Sequence, residues 1–313
     1  MIVLILGAGF SKWAANLPVA SQLFDFAIEP FGVREERRLE RVRTLKSVWD
    51  SVNPTGFAEQ FIAAILSCND TRSKEDVLWY VVRRLSEPYI WQEWHAGRSR
   101  RHVLMIDENR RWDRPGVRKV ADFIALCGSQ LTGIVTLNYD LLVEYALGSQ
   151  GFNYGGPGEV LQGRGPYPVS QWRNPVRLTG KIALAKLHGS ISWDAHGKYT
   201  DGRKGLSGNA LIVAPTPEKR APAKLQEQWN LSARVLRQAR RLLVFGFGFN
   251  EYDEAVLTHL ADAGRNVHEV AIVDVNCRAT GAARLWPKAH ICSYQPQPEG
   301  LIGIQAWLNS ERE

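Results

Sequence analysis

The chain has 313 residues, of which 45% are apolar and 23% charged, enough for a substantial core and unlike a disordered composition. A formal net charge of +7 comes in part from Arg34–Arg43 and Arg98–Arg101; such runs usually coat solvated helix faces, although they also suit nucleic acid or an acidic partner. The only apolar run near the start, Met1–Leu6, is too short for a signal core or a membrane span, and the four scattered cysteines form no C-x-x-C pair, against a disulfide framework or structural zinc; a cytoplasmic protein is expected.

Ile2–Leu6 is a short continuous apolar run, the pattern of a parallel strand buried on both faces. Gly7-Ala8-Gly9-Phe10-Ser11 then opens a helix that Asn16-Leu17-Pro18 ends. Residues 20–130 are expected to be mainly helical, with apolar spacing at Phe57–Leu66, Val77–Leu85 and Arg118–Cys127. The Trp-, Arg- and His-rich part from 86 to 114 is expected as a helical insertion or lid. Gly133–Leu137 is a second buried strand, followed by the helix Leu141–Leu147. Residues 148–180 are rich in Gly, Pro and Asn and predict a long loop or irregular hairpin. Further strands are expected at Ala183–Leu187, Leu211–Ala214, Arg241–Phe245 and Val267–Val273. Helices are expected at 222–240, Asp253–Ala263 and Leu301–Asn309. This alternation predicts an α/β fold: one Rossmann-like domain over 1–313, an open parallel sheet with helices on both faces and the helical insertion at 20–130.

In such sheets ligands bind beyond the carboxyl ends of the strands, and four motifs fall there. Gly7, Ala8, Gly9, Phe10 and Ser11 would let backbone approach a diphosphate at a helix start, although an isolated Gly-x-Gly equally fits a tight turn. In Thr136-Leu137-Asn138-Tyr139-Asp140, Asn138 is either a helix cap or a ligand for a ribose hydroxyl or a water. Asp140 would tie down the turn or a ligand hydroxyl. His188, in Leu187-His188-Gly189-Ser190, has a small neighbour that leaves room for a ligand, and a neutral imidazole there can take a proton near pH 7. Gly246-Phe247-Gly248-Phe249-Asn250 is the second glycine turn, with Glu251, Tyr252 and Asp253 after it. Asp274 and Asn276 follow the last long strand and suit either an adenosine ribose or a turn.

Taken in order, G-A-G-F-S, T-L-N-Y-D, L-H-G-S and G-F-G-F-N resemble the sirtuin-like superfamily. Leu211-Ile212-Val213-Ala214-Pro215-Thr216, with the later helix carrying Trp229, looks like its bacterial branch. The resemblance implies NAD+ as substrate; without clustered ligands in the sequence, no metal is expected. The resemblance also places the diphosphate at Gly7, Ala8, Gly9 and Ser11, and the nicotinamide ribose at Asn138 and His188. The adenosine half falls to Gly246, Gly248, Asn250, Asp274 and Asn276. Protein deacetylases of this family carry G-I-P-D-F-R after the glycine turn, whereas this chain has Asn16-Leu17-Pro18-Val19-Ala20-Ser21. It also lacks their paired C-x-x-C zinc module. Both differences argue against acyl-lysine as substrate. The combination resembles bacterial anti-phage effectors that destroy NAD+, with Asn138 positioning ribose and water and His188 as base. The products would be nicotinamide and ADP-ribose, or a cyclic ADP-ribose.

Two alternatives share the pocket: an NAD+-dependent deacylase or ADP-ribosyltransferase, and a non-catalytic sensor of NAD+ or ADP-ribose. An unregulated NADase would kill its host, so control is expected from homo-oligomer formation or a separate activator. By family analogy that activator would be a DNA-translocating ATPase or a short Argonaute. The basic stretches and the Trp-rich region 79–112 are the candidate contact surfaces.

Overall fold

The computed structural model describes residues 1–87, 91–95, 99–103, 111–148, 151–154, 182–194, 210–213, 223–276 and 279–310. The apolar pentapeptide Ile2–Leu6 forms β1 with all five residues buried, as a strand covered on both faces requires. Next come α1 (Ala8–Ala15), α2 (Val33–Val52), α3 (Ala58–Ser67), α4 (Thr71–Ser86), β2 (Trp91–His95), β3 (Ser99–Val103) and α5 (Val117–Cys127). The middle of the chain carries β4 (Leu131–Thr136), α6 (Leu142–Leu147), β5 (Phe152–Asn153), β6 (Ile182–Lys186), β7 (Gly189–Asp194) and β8 (Ala210–Ile212). It closes with α7 (Gln226–Gln238), β9 (Arg241–Phe245), α8 (Glu254–Ala263), β10 (Glu269–Val273), α9 (Ala279–Leu285), β11 (His290–Tyr294) and α10 (Pro298–Asn309).

Seven strands make one sheet in the order β11-β10-β9-β1-β4-β6-β5, and all neighbours run parallel. One helical layer is α7, α8 and α9, with α7 on β4 and β6 and α9 on β11. A second comprises α1, α5, α6 and α10, with α10 on β10 and β11. This is the Rossmann-like open sheet that the alternating sequence predicts.

β1 is the switch strand: β4, β6 and β5 lie to one side, β9, β10 and β11 to the other. The crevice at the carboxyl end of such a strand is where these sheets bind ligands. Register decides what meets there. Leu6 is level with both Thr136 and Phe245, Thr136 with Lys186, and Phe245 with Val273. Five strands therefore end in one row, and the residues just after them share one edge.

Three regions depart from expectation. Leu211–Ala214 was expected in the main sheet; β8 instead pairs antiparallel with β7 in a separate two-stranded sheet. Gly189, at φ +86°, turns the chain out of the parallel row after β6. The expected helix across 86–114 contains an antiparallel hairpin, with Trp91 opposite Val103; tryptophan and valine favour strands. β11 forms an edge where no strand is expected, because its residues are half exposed and so leave no continuous apolar run. The loop expected at 148–180 falls mostly outside the described residues, as do Arg98, Ala214, Pro215, Thr216 and Cys277.

α2 to α5 supply the helical character expected for 20–130. Within the arginine run, Arg38 and Arg41 hold the buried carboxylate of Asp76 at 2.7 and 2.6 Å, while Arg34, Arg37 and Arg43 are exposed. Among the described residues, no helix is long and apolar enough to cross a membrane.

Candidate active site

The two glycine motifs are packed against each other, backbone to backbone. Gly7 N donates to Phe245 O and Gly9 N to Gly246 O, each at 3.0 Å. Gly246 sits at φ +63°, and a Cβ there would lie 2.2 Å from Phe10 N. A Cβ on Gly7 would lie 2.5 Å from Gly246 O. Glycine is therefore required on both sides of this contact. Because Phe10 N also donates, to Gly7 O at 2.9 Å, the amides of Gly7, Gly9 and Phe10 are used within the protein. What the loop offers a ligand is its exposed neighbour, Ala8, and close backbone approach.

Ser11 joins this loop to the turn after β4. Its hydroxyl donates to Asp140 Oδ2 at 2.6 Å and accepts from Asn138 Nδ2 at 2.8 Å. Asn138 Nδ2 also donates to Gly7 O at 2.9 Å. With both amide hydrogens engaged, the carbonyl Oδ1 of Asn138 is its remaining hydrogen-bonding atom, an acceptor only. Asp140 holds the turn: its Oδ1 accepts from Leu142 N at 3.0 Å, at the start of α6. From beneath, buried Lys186 donates to the Asp140 carbonyl and lies 2.8 Å from Glu144 Oε1. Tyr154 donates to the same Glu144 oxygen at 2.8 Å.

His188 occupies the turn between β6 and β7 and is buried. Burial lowers its pKa to about 4, against the opposing pull of a hydrogen bond to the Leu137 backbone. The ring is therefore neutral at pH 7 and is a hydrogen-bonding partner more than a titrating base. Its small neighbour serves a different end from the one expected. A Cβ on Gly189 would lie 2.0 Å from Leu211 O, so the glycine accommodates β8 rather than a ligand. Tyr139 flanks the imidazole, ring centroids 6.2 Å apart, and donates to Val213 O at 3.1 Å.

These groups line one cavity of about 470 Å³, within the range of small-molecule sites. Gly7, Ala8, Gly9, Ser11, Asn138, Asp140 and His188 all border it. So do Gly246, Gly248, Asn250, Asp274 and Asn276. Phe10 does not: it is fully buried, with its ring against Trp13, Phe123 and Phe245, so it belongs to the core beneath the loop and its assignment as a ligand residue is corrected. Helices α3 and α4 close the cavity with Glu59, Ile62 and Leu85, and Leu17 to Ser21 form a further wall.

Among the lining residues with no role assigned from the sequence are Tyr139, Glu59 and Asp253. Tyr139 lies inside the Thr136–Asp140 motif but carries no signal of its own. Glu59 is hidden by the apolar periodicity of α3. Asp253 trails the second glycine motif, and its side chain approaches His188 Nε2 at 3.5 Å. Burial, reinforced by the negative charge of Glu59, raises the Asp253 pKa to about 7; burial also raises that of Glu59. At 3.5 Å the His188–Asp253 contact is longer than a hydrogen bond. Burial opposes charge on both partners, so it is not an ion pair at neutral pH.

Residues 132–291, just over half of the chain, match the family model of the SIR2-like domain. The chain belongs to the SIR2-like family. That span holds Asn138, His188 and the second glycine motif; β1 and its loop precede it. A solved structure described under "Structural Basis for the Mechanism and Regulation of Sir2 Enzymes" is 13% identical, covering 98% of this chain and 91% of that one, at a TM-score of 0.41. No curated protein matches the sequence.

Proposed function

We propose that this SIR2-like protein hydrolyses NAD+ at the nicotinamide–ribose bond, releasing nicotinamide and ADP-ribose, as an effector of bacterial anti-phage defence. The observation that carries the reading is the convergence of Asn138 and His188 on the cavity bordered by both glycine loops. NAD+ suits the residues present. Ala8 and the close-packed glycine backbone would take the diphosphate at the start of α1. Asp274 and Asn276, after β10, would take the adenosine ribose, as acidic residues at strand ends do in dinucleotide sites.

The chemistry required of the protein is mainly positioning and exclusion of water, since the nicotinamide is already a cationic leaving group. Asn138, locked by Gly7 and Ser11, presents Oδ1 as acceptor to a ribose hydroxyl or the attacking water. An aspartate at 138 would set oxygen against the Gly7 carbonyl, so the amide is specifically needed. His188, held neutral, hydrogen-bonds the same sugar. The sequence supports hydrolysis over deacylation, because the D-F-R segment and the paired cysteines of the deacetylases are missing. The defence role rests on the resemblance to bacterial NAD+-destroying effectors, and control by self-assembly or an activator follows from the toxicity of NAD+ loss.

Purified protein is incubated with NAD+, alone and with its genomic neighbour, and the products are separated by chromatography. Nicotinamide and ADP-ribose in equal amounts are expected, with an acetylated peptide left unchanged. Deacetylation coupled one-to-one to nicotinamide release would overturn the reading in favour of a deacylase. Tight NAD+ binding without turnover in either sample would overturn it in favour of a sensor.

A further inference from the structure

Asp253 stands at the N-cap of α8, where an aspartate normally accepts from the first free amides of the helix. Its side chain makes no such bond. Asp253 instead lines the cavity, and its Oδ1 is buried with no hydrogen-bond partner, 3.5 Å from His188 Nε2. A carboxyl oxygen that forgoes its cap and is buried without a substitute carries a desolvation cost that folding does not offset. Glu59, reaching in from α3, borders the same cavity.

We propose that Asp253 is the proton acceptor of the reaction, with neighbouring His188 helping to align the attacking water in the cavity and Glu59 tuning the carboxyl from across it. This rests on the NAD+-hydrolysing reading of the site. In the step, the bond between the ribose C1′ and the nicotinamide nitrogen breaks and its electron pair goes to that nitrogen. The water oxygen bonds to C1′, and the water proton passes to the Asp253 carboxylate and then to solvent. Charge and atoms balance: NAD+ and water give nicotinamide, ADP-ribose and one proton.

The electrostatics agree with that assignment. The titratable groups facing Asp253 are His188 from the β6–β7 turn, Glu59 from α3 and Tyr139 from the turn after β4. Tyr139 is kept neutral by burial, and His188, its pKa lowered by burial to about 4, is neutral at pH 7. Asp253 titrates at about 7, raised by burial and by Glu59, which is where a general base works best at neutral pH.

The test is the pH dependence of kcat/KM for NAD+ hydrolysis in wild type, Asp253→Asn and Glu59→Gln, with ADP-ribose binding measured on each. Wild-type activity should rise with pH through about 7. Asp253→Asn should lose roughly 10²–10⁴-fold and the rising limb, while still binding ADP-ribose. Glu59→Gln removes a negative neighbour, so its limb should move to lower pH. An unchanged limb in Glu59→Gln, or wild-type turnover in Asp253→Asn, would overturn the proposal. The Glu59→Gln shift decides the matter even where Asp253→Asn fails to fold. A wild type that never releases nicotinamide would sink the parent reading and this proposal together; release with unaltered variants would sink the proposal alone.

Discussion

The two walls of the cavity are built on opposite principles. On the glycine-loop side, Ser11, Asn138 and Asp140 are tied to one another, to Gly7 and to the start of α6. Polar groups there are matched, and Asn138 can adopt one orientation only. On the facing side, matching is incomplete: His188 keeps a hydrogen bond to the Leu137 backbone, but a buried oxygen of Asp253 lacks a partner, and the carboxyls of Asp253 and Glu59 resist ionisation. Matched groups hold a shape, whereas unmatched ones store electrostatic free energy that a substrate can relieve. Stability is thus expected to depend on the first wall, and pH response on the second.

The harshest way to break the first wall is from below. Lys186→Met removes the cation from buried Glu144 and the donor from the Asp140 carbonyl. Leaving one buried charge uncompensated costs about 3–5 kcal/mol, and the urea midpoint should fall accordingly; a shift under about 1 kcal/mol would mean that the pair is not what holds the turn.

The second wall is tested through linkage. Asp253 has an ordinary pKa of 3.8 and a folded pKa of about 7, so between these values the folded state binds a proton that the unfolded chain has released. Stability from this group is lost as pH rises through that window. His188 runs the other way: its folded pKa is about 4 against 6.5, so it costs stability as pH falls below 6.5. Asp253→Asn abolishes only the first slope. Its stability relative to wild type should improve from pH 4 to pH 8 by about 4 kcal/mol, read from denaturation curves across pH. A difference independent of pH would show that the carboxyl is not strained.

The mildest change separates positioning from folding. Ser11→Ala leaves Asn138 its bond to Gly7 O but frees it from Asp140. A loss of about tenfold in kcat/KM, or about 1.4 kcal/mol, is expected with the sheet intact by circular dichroism. A wild-type rate would show that the Gly7 bond alone orients the amide.

What the sequence revealed follows the same division. The buried strands were legible as short apolar runs. Gly7, Asn138, His188 and Gly246 were legible because they follow those runs directly, and parallel register brings strand ends to one edge. Residues that act through side-chain reach were not. Glu59 sits in an amphipathic helix, and nothing in its spacing says that its carboxyl enters a cavity. Asp253 looks like any N-cap; only the missing cap bond sets it apart. Gly189 was noticed for the wrong reason, since the Leu211 carbonyl that demands it comes from a strand pairing invisible in the local sequence. Phe10 shows the limit of carrying a whole motif over at once: within five residues the chain turns from ligand loop to core.

The central claim is that Asn138 and His188 act on one sugar in one cavity. It is tested most directly by nicotinamide release from NAD+ in wild type, Asn138→Ala and His188→Ala at equal concentration, with folding checked by thermal melts. Each variant should fall by roughly 10²-fold or more while melting as wild type does. Wild-type release by both variants would contradict the account.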